Sequence, residues 1–160
     1  MTKMEICVTK MEICDYSSAL SPFFKTLNEE WLNKFFVVEP YDATLLENCA
    51  SEILEKGGQI FFGKLNQTVI ATYALLPPND GCVELGKMAV TASQQGNGYG
   101  QQLIQHAINT AVALGHKAIL LYSNKKLENS IYLYRKFGFK EVPNEDSPYA
   151  RGNIKMLLKL

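Results

Sequence analysis

The sequence predicts a mixed α/β fold of the α+β kind, with helices interspersed among mostly antiparallel strands and one β-α-β unit. Three observations carry this. Cys82 to Val90 reads as a strand, Gln95-Gly96-Asn97-Gly98-Tyr99-Gly100 follows as a glycine loop, and an apolar helical pattern comes next. That pattern is Leu103, Ile104, Ala107, Ile108, Ala111 and Val112, with Gly115 as its stop. Second, Gln59 to Leu65 and Thr68 to Leu76 read as two strands joined by Asn66-Gln67, a hairpin. Third, Phe23, Phe24, Leu27, Trp31, Leu32 and Phe35 recur at the spacing of an amphipathic helix.

The elements order as follows. Thr2-Lys3-Met4-Glu5-Ile6-Cys7 recurs identically as Thr9 to Cys14. The offset is odd, and strand side chains alternate, so both copies cannot bury the same face of one strand. The second copy is expected to be the first strand. Residues 1–8 are then an N-terminal extension, a duplication of 9–14, and 9–160 form a single domain. Ser21-Pro22 supplies an N-cap and a first-turn proline for the aromatic helix. Asp42 is expected to cap a second helical stretch to about Lys56, ended by Gly57-Gly58. Pro77 to Gly81 is a turn into the strand before the glycine loop. Lys117 to Tyr122 is a short apolar run between Gly115 and Asn124, as expected of a buried strand. Leu133 to Phe139 reads as the last turns of a helix, with Lys136 near its negative end and Gly138 as the C-terminal cap. Phe139 begins another strand, and Gly152 to Leu160 alternates enough to be the last.

Composition narrows the class. At 160 residues the chain suits one domain with a real core. Sixteen basic and sixteen acidic residues cancel, so no electrostatic footprint for nucleic acid or an anionic membrane is present. No apolar run reaches the ~18 residues of a membrane span. The N-terminus lacks the order of a signal peptide. Cys7, Cys14, Cys49 and Cys82 have neither metal spacing nor disulfide density, so no metal and a cytoplasmic location are expected.

The glycine loop points to a ligand. Three glycines in five positions let the backbone approach a ligand closely. The following helix offers unpaired N–H groups and its dipole to an anion. A pyrophosphate fits. The dinucleotide pattern fails because the third glycine falls at 100 rather than 101, and the P-loop pattern fails because no Gly-Lys-Ser/Thr follows. Gln95-x-x-Gly98-x-Gly100 resembles the acyl-CoA loop of the GNAT family of N-acetyltransferases. Leu133-Tyr134-Arg135-Lys136-Phe137-Gly138-Phe139 looks like the LYxKxGF segment of the same family. The resemblance covers residues 83 to 139 well and the remainder in outline.

The resemblance implies a sheet of six to seven strands flanked by helices, and acetyl-CoA as co-substrate. It also implies direct attack by a primary amine on the acetyl thioester, without a covalent acyl-enzyme. Backbone groups of Met88, Ala89 and Val90 would meet the pantetheine arm, and a backbone N–H there would steady the oxyanion. The loop, Gln95, Gly96, Asn97, Gly98, Tyr99, Gly100 and Gln101, would hold the pyrophosphate. Tyr134 occupies the position of the usual general acid; the other account is a tyrosine packed against Ile131. A base is needed because an alkylamine is mostly protonated at neutral pH. Glu84 is the candidate, against an exposed strand charge paired with Lys87, and Glu39 is a second choice. His106 and His116 read as surface residues.

Some positions depart from the family pattern. No Lys or Arg occurs from Thr91 to His116, so phosphate binding must rest on backbone N–H groups and the helix dipole. The family's usual Asn, seven residues before Tyr134, is Leu127 here; Asn124 or Asn129 is expected to make the equivalent contact. Trp31, Phe35, Phe36 and Tyr149 either wall an acceptor pocket or pack as core. Glu29, Glu30, Asp42, Glu145 and Asp146 either attract a cationic amine or are solvated surface charge. The resemblance implies a small-molecule or peptide amine as the acceptor and makes a homodimer possible, since one is common in the family. The alternative function is a catalytically silent acyl-CoA-binding sensor or interaction module.

Overall fold

The computed structural model describes residues 10–160. The expected extension, residues 1–8, lies outside the described residues. The first strand, β1 (Glu12–Asp15), comes from the second copy of the repeat, and Met11 beside it is buried. Helix α1 (Ser21–Phe35) starts with Pro22 in its first turn. Ser21 lies inside the helix and Leu20 stands at the cap, one residue earlier than the sequence suggests.

Helix α2 (Pro40–Glu47) corrects a reading of Asp42. Glu39 is the cap, and Asp42 sits at the third helical position, closing a reciprocal capping box with the Glu39 backbone N–H. Asp42 is fully buried, not a solvated charge. The helical stretch also breaks: α2 ends at Glu47, and a π-helical turn, Ala50–Leu54, carries the chain to the Gly57-Gly58 stop.

β2 (Gln59–Leu65) and β3 (Thr68–Leu75) form the expected hairpin, with Asn66 and Gln67 both at positive φ. β4 (Cys82–Val90) leads through the glycine loop into α3 (Tyr99–Ala113) and then β5 (Ala118–Ser123). α4 (Glu128–Lys136) ends at Gly138, whose φ of +98° suits glycine alone. β6 (Lys140–Val142) and β7 (Ile154–Lys159) complete the chain.

The seven strands run in the order β1-β2-β3-β4-β5-β7-β6. Every neighbouring pair is antiparallel except β4 and β5. Period-2 alternation sends side chains to two separate cores. On one face Phe24 and Leu32 of α1 and Leu45 and Leu46 of α2 pack against Ile60, Phe62, Ala74 and Leu76. On the other, Leu103, Ile104, Ala107 and Ala111 of α3 pack against Val83, Leu85, Ile119 and Met156. Each large apolar side chain so buried contributes roughly 1.5–3 kcal/mol.

Two irregularities position the site. β4 and β5 pair only at Cys82–Ala118, Val83–Ile119 and Glu84–Leu120. Beyond that point the strands part, and the inner edge of β4 from Leu85 to Val90 has no neighbouring strand among the described residues. A β-bulge lies in that free segment. Thr72 faces Ala89 and Ala74 faces Gly86, so Tyr73 stands opposite both Lys87 and Met88, and Lys87 has φ +51°.

Candidate active site

A cleft of about 630 Å³ fills the gap where β4 and β5 part. Its walls are the free segment of β4, the glycine loop, the start of α4 and the C-terminal half of α1. Among the residues expected from sequence, Glu84, Met88, Ala89, Val90 and Tyr134 line it. Gln95, Gly96, Gly98, Tyr99 and Gly100 line it at the loop end, and Asn124 and Asn129 at the α4 end. Asn97 and Gln101 do not; they border a shallower hollow on the outer side of the loop, with Gln105 and Phe137.

The loop has the form of an anion cradle. Gly98 caps α3 at φ +82°, and Gly96 has φ +83°. A Cβ built on Gly96, Gly98 or Gly100 would meet nothing within 4 Å. The first-turn N–H groups of α3 have no intrahelical partner, and the space at these three glycine Cβ positions is open. α1 buttresses this loop: Glu30 accepts from the Ala92 backbone N–H at 2.8 Å and from the Thr91 hydroxyl at 3.1 Å. The Gln95 amide donates to the Val90 carbonyl at 3.0 Å, which fixes the loop to the end of β4.

The two asparagines differ. Asn124 is already engaged, donating to the Arg151 carbonyl at 2.8 Å and accepting from the Lys126 backbone N–H at 3.0 Å. The Asn129 side chain is exposed and has no hydrogen bond among the described residues.

The catalytic candidates lie in different surroundings. The Tyr134 ring packs edge-on against Phe139, with centroids 5.9 Å apart, and burial pushes its phenol up to about 12. The phenol is therefore protonated across the neutral range. Glu84 is not an exposed charge paired with Lys87. Burial raises its carboxyl to about 7, against the opposing influence of Lys87 and of the Tyr149 hydroxyl, which donates to it at 3.2 Å.

Lys87 instead joins a buried ionic knot. Its ammonium pairs with Asp42, and Arg151 binds the same carboxylate bidentately at 2.7 and 2.8 Å. Arg151 also reaches Glu39 at 3.0 Å, and Glu39 accepts the Ala150 backbone N–H at 2.8 Å. The Tyr149 ring is contacted by both cations, Lys87 at 4.4 Å and Arg151 at 4.6 Å from its centroid. Burial would raise Asp42, but the Arg151 hydrogen bonds and the Lys87 charge outweigh it and hold it low. Burial lowers Lys87 despite Asp42. Glu39 thus anchors the knot rather than standing free as a base.

Three contributors escaped the sequence reading: Lys87, Arg151 and Asn28. Lys87 left a signal, since it shares the buried phase of β4 with Val83, Leu85 and Ala89, where a lysine needs a carboxylate partner. Arg151 and Asn28 left none, because only the tertiary fold brings them to the cleft. Trp31, Phe35, Phe36 and Tyr149 do line the cleft. His106 is half-buried rather than a free surface residue: its Nδ1 lies 2.6 Å from the Tyr73 hydroxyl and its ring meets Phe61 edge-on. No group of three potential metal ligands occurs among the described residues. No helix among them is long and apolar enough to cross a membrane.

Comparison with known proteins places these features in context. An uncharacterised N-acetyltransferase, YvbK, of Bacillus subtilis (strain 168) is 30% identical over 105 residues, 64% of this chain and 68% of its own. A GNAT-family acetyltransferase of Staphylococcus aureus Mu50 shares the fold with a TM-score of 0.83 at 21% identity, over 94% of this chain and 99% of its own. A Bacillus subtilis acetyltransferase solved in complex with CoA gives 0.65 at 23% identity, over 94% and 99%. The model of the acetyltransferase (GNAT) family matches residues 23–139. That span is well over half of the sequence, and the chain belongs to the GNAT acetyltransferase family.

Proposed function

We propose that this protein is an N-acetyltransferase that moves the acetyl group of acetyl-CoA directly to a primary amine. The observation that carries the reading is the parting of β4 from β5, with the glycine cradle at one end of the gap and Glu84 at the other. The loop glycines leave room that a Cβ would fill, and the α3 N-terminus suits a pyrophosphate held without basic side chains. When bound, acetyl-CoA supplies an acetyl thioester. The free β4 edge offers backbone donors and acceptors to an extended amide-bearing arm. Asn129 is the free side chain at the α4 end of that path. Glu84, its carboxyl raised by burial to about 7, is suited to take a proton from an ammonium near neutral pH. Tyr134 holds a proton facing the same cleft.

Thermal unfolding with acetyl-CoA, with NADH and ATP as controls, tests the co-substrate. Ligand at ~100 times its Kd stabilises the native state by ~2.7 kcal/mol, a rise of roughly 5 to 10 °C at this size. Release of free CoA across a panel of primary amines then tests the transfer. A thermal rise with no amine-dependent release from any member would favour a silent acyl-CoA-binding module. No rise at millimolar acetyl-CoA would remove the reading altogether.

A further inference from the structure

Asn28 lies on α1 and is 2% exposed, yet it lines the cleft. Its amide nitrogen donates to the Phe24 carbonyl one turn back, at 2.8 Å. That bond fixes the orientation of the group, because a carbonyl can be met only by the NH₂ side. Oδ1 must therefore point away from the helix, and no donor among the described residues reaches it. The sealed, unpartnered side-chain oxygen among the described residues is Asn144 Oδ1, not this one: Asn28 Oδ1 is reachable from the cleft and is free to accept a hydrogen bond from a molecule bound there.

Asn28 and Glu84 share one face of the sheet. A Cβ built on Gly86 would lie 3.2 Å from a Glu84 carboxylate oxygen and 3.4 Å from Leu76. Leu76 belongs to the core formed with Phe24 and Leu32 of α1. The Glu84 carboxylate thus leans along β4 toward the bulge on the side that α1 covers. Asn28 and Glu84, one neutral and one titratable acceptor, both line the cleft beside the free edge of β4. Arg151 and Lys87, the nearby cations, are committed to Asp42 and do not turn this space into an anion site. The ligand such a pair recognises is a nitrogen carrying at least two hydrogens.

We infer that Asn28 Oδ1 accepts a hydrogen bond from the acceptor amine and, together with Glu84, orients that nitrogen in the cleft. This rests on the amine-acceptor reading above. An amine held at two points by its hydrogens has its remaining direction fixed, which is where orientation contributes to rate. A secondary amine can satisfy both acceptors only as its ammonium, so the pair also favours primary over secondary amines.

The test uses binding as well as turnover. Propylamine, benzylamine and tyramine are titrated calorimetrically into the full-length protein saturated with CoA, and the same amines are assayed as acceptors. Asn28→Leu and Asn28→Asp both lose the donor to Phe24, and only the aspartate variant keeps an oxygen facing the cleft. Asn28→Leu is expected to weaken amine binding and raise the acceptor KM about tenfold, with the Kd for CoA unchanged within twofold. Asn28→Asp is expected to recover both to within a few-fold. Asn28→Ala, well suited to a helix interior, gives the same comparison if leucine disturbs packing. Equal losses in the leucine and aspartate variants would mean that the Phe24 bond matters, and would overturn the inference. So would a weakened Kd for CoA with amine binding intact, which would assign Asn28 to the co-substrate. Wild-type protein that binds CoA but no amine would instead sink the acceptor reading itself, and the inference with it.

Discussion

A carboxyl group held near pKa 7 ties two pH responses to one position, Glu84. As the base, Glu84 must be ionised, so kcat/KM is expected to rise with pH along a limb centred near 7. Glu84→Gln should delete that limb while leaving the later rise caused by deprotonation of the amine itself; a pH–rate profile of both proteins checks this. Stability moves the other way. The folded pKa is raised above the unfolded value, so the folded state holds the proton more tightly. Its stabilising effect is full below about pH 4.5 and is lost as pH climbs through about 7. Glu84→Gln carries no such loss, so its stability relative to wild type should grow by about 1–3 kcal/mol between pH 4 and pH 8, read from denaturant unfolding at each pH. Tyr134→Phe separates chemistry from binding. Turnover should fall by about 10²-fold while the acetyl-CoA-induced rise in Tm persists, and unchanged turnover would take the phenol out of the mechanism.

At the scale of elements, the glycine loop and the parted strands were legible to different degrees. The strand, loop and helix from Cys82 to Gly115 could be bounded from sequence because three strong local signals agree: alternation, glycine spacing and helical periodicity. The bulge at Lys87 could not. It is set by the register of β3 against β4, and register is a tertiary quantity. Asp42 was misjudged for a related reason. A capping position predicts exposure, but here the Asp42 side chain is buried between Lys87 of β4 and Arg151 of the segment before β7. The loop itself yields a prediction. Gly100 has ordinary helical geometry and open space around its Cβ position. Gly100→Val should leave the Tm of the free protein within about 2 °C and abolish the acetyl-CoA-induced rise, since the added bulk occupies the cradle. A retained rise would show that the pyrophosphate lies elsewhere.

The whole molecule depends on how its two cores are joined across the sheet. The ionic knot links the start of α2, the bulge of β4 and the segment before β7, so it ties the N-terminal to the C-terminal part of the chain. Asp42 is its centre, and Asp42→Ala leaves Lys87 and Arg151 without their shared carboxylate in a buried setting. A loss of 3–5 kcal/mol is expected from urea unfolding. A change below about 1 kcal/mol would mean that Glu39 alone suffices. None of this knot was visible in the sequence as a network, because its members lie between positions 39 and 151 with no shared motif. The order of elements was visible, because it follows from local patterns read one after another.

The short ladder between β4 and β5 has one more consequence. A seven-stranded sheet with a gap in its middle is two smaller sheets stitched by three residue pairs. An extended, amide-bearing ligand lying in that gap acts as a borrowed strand, completing a ladder that the polypeptide leaves unfinished. On this reading the co-substrate is part of the architecture as well as the chemistry. Scarcity of acetyl-CoA would then register first as faster amide hydrogen exchange along Leu85–Val90 and Leu121–Ser123, a loosening of the seam in molecules that are still folded.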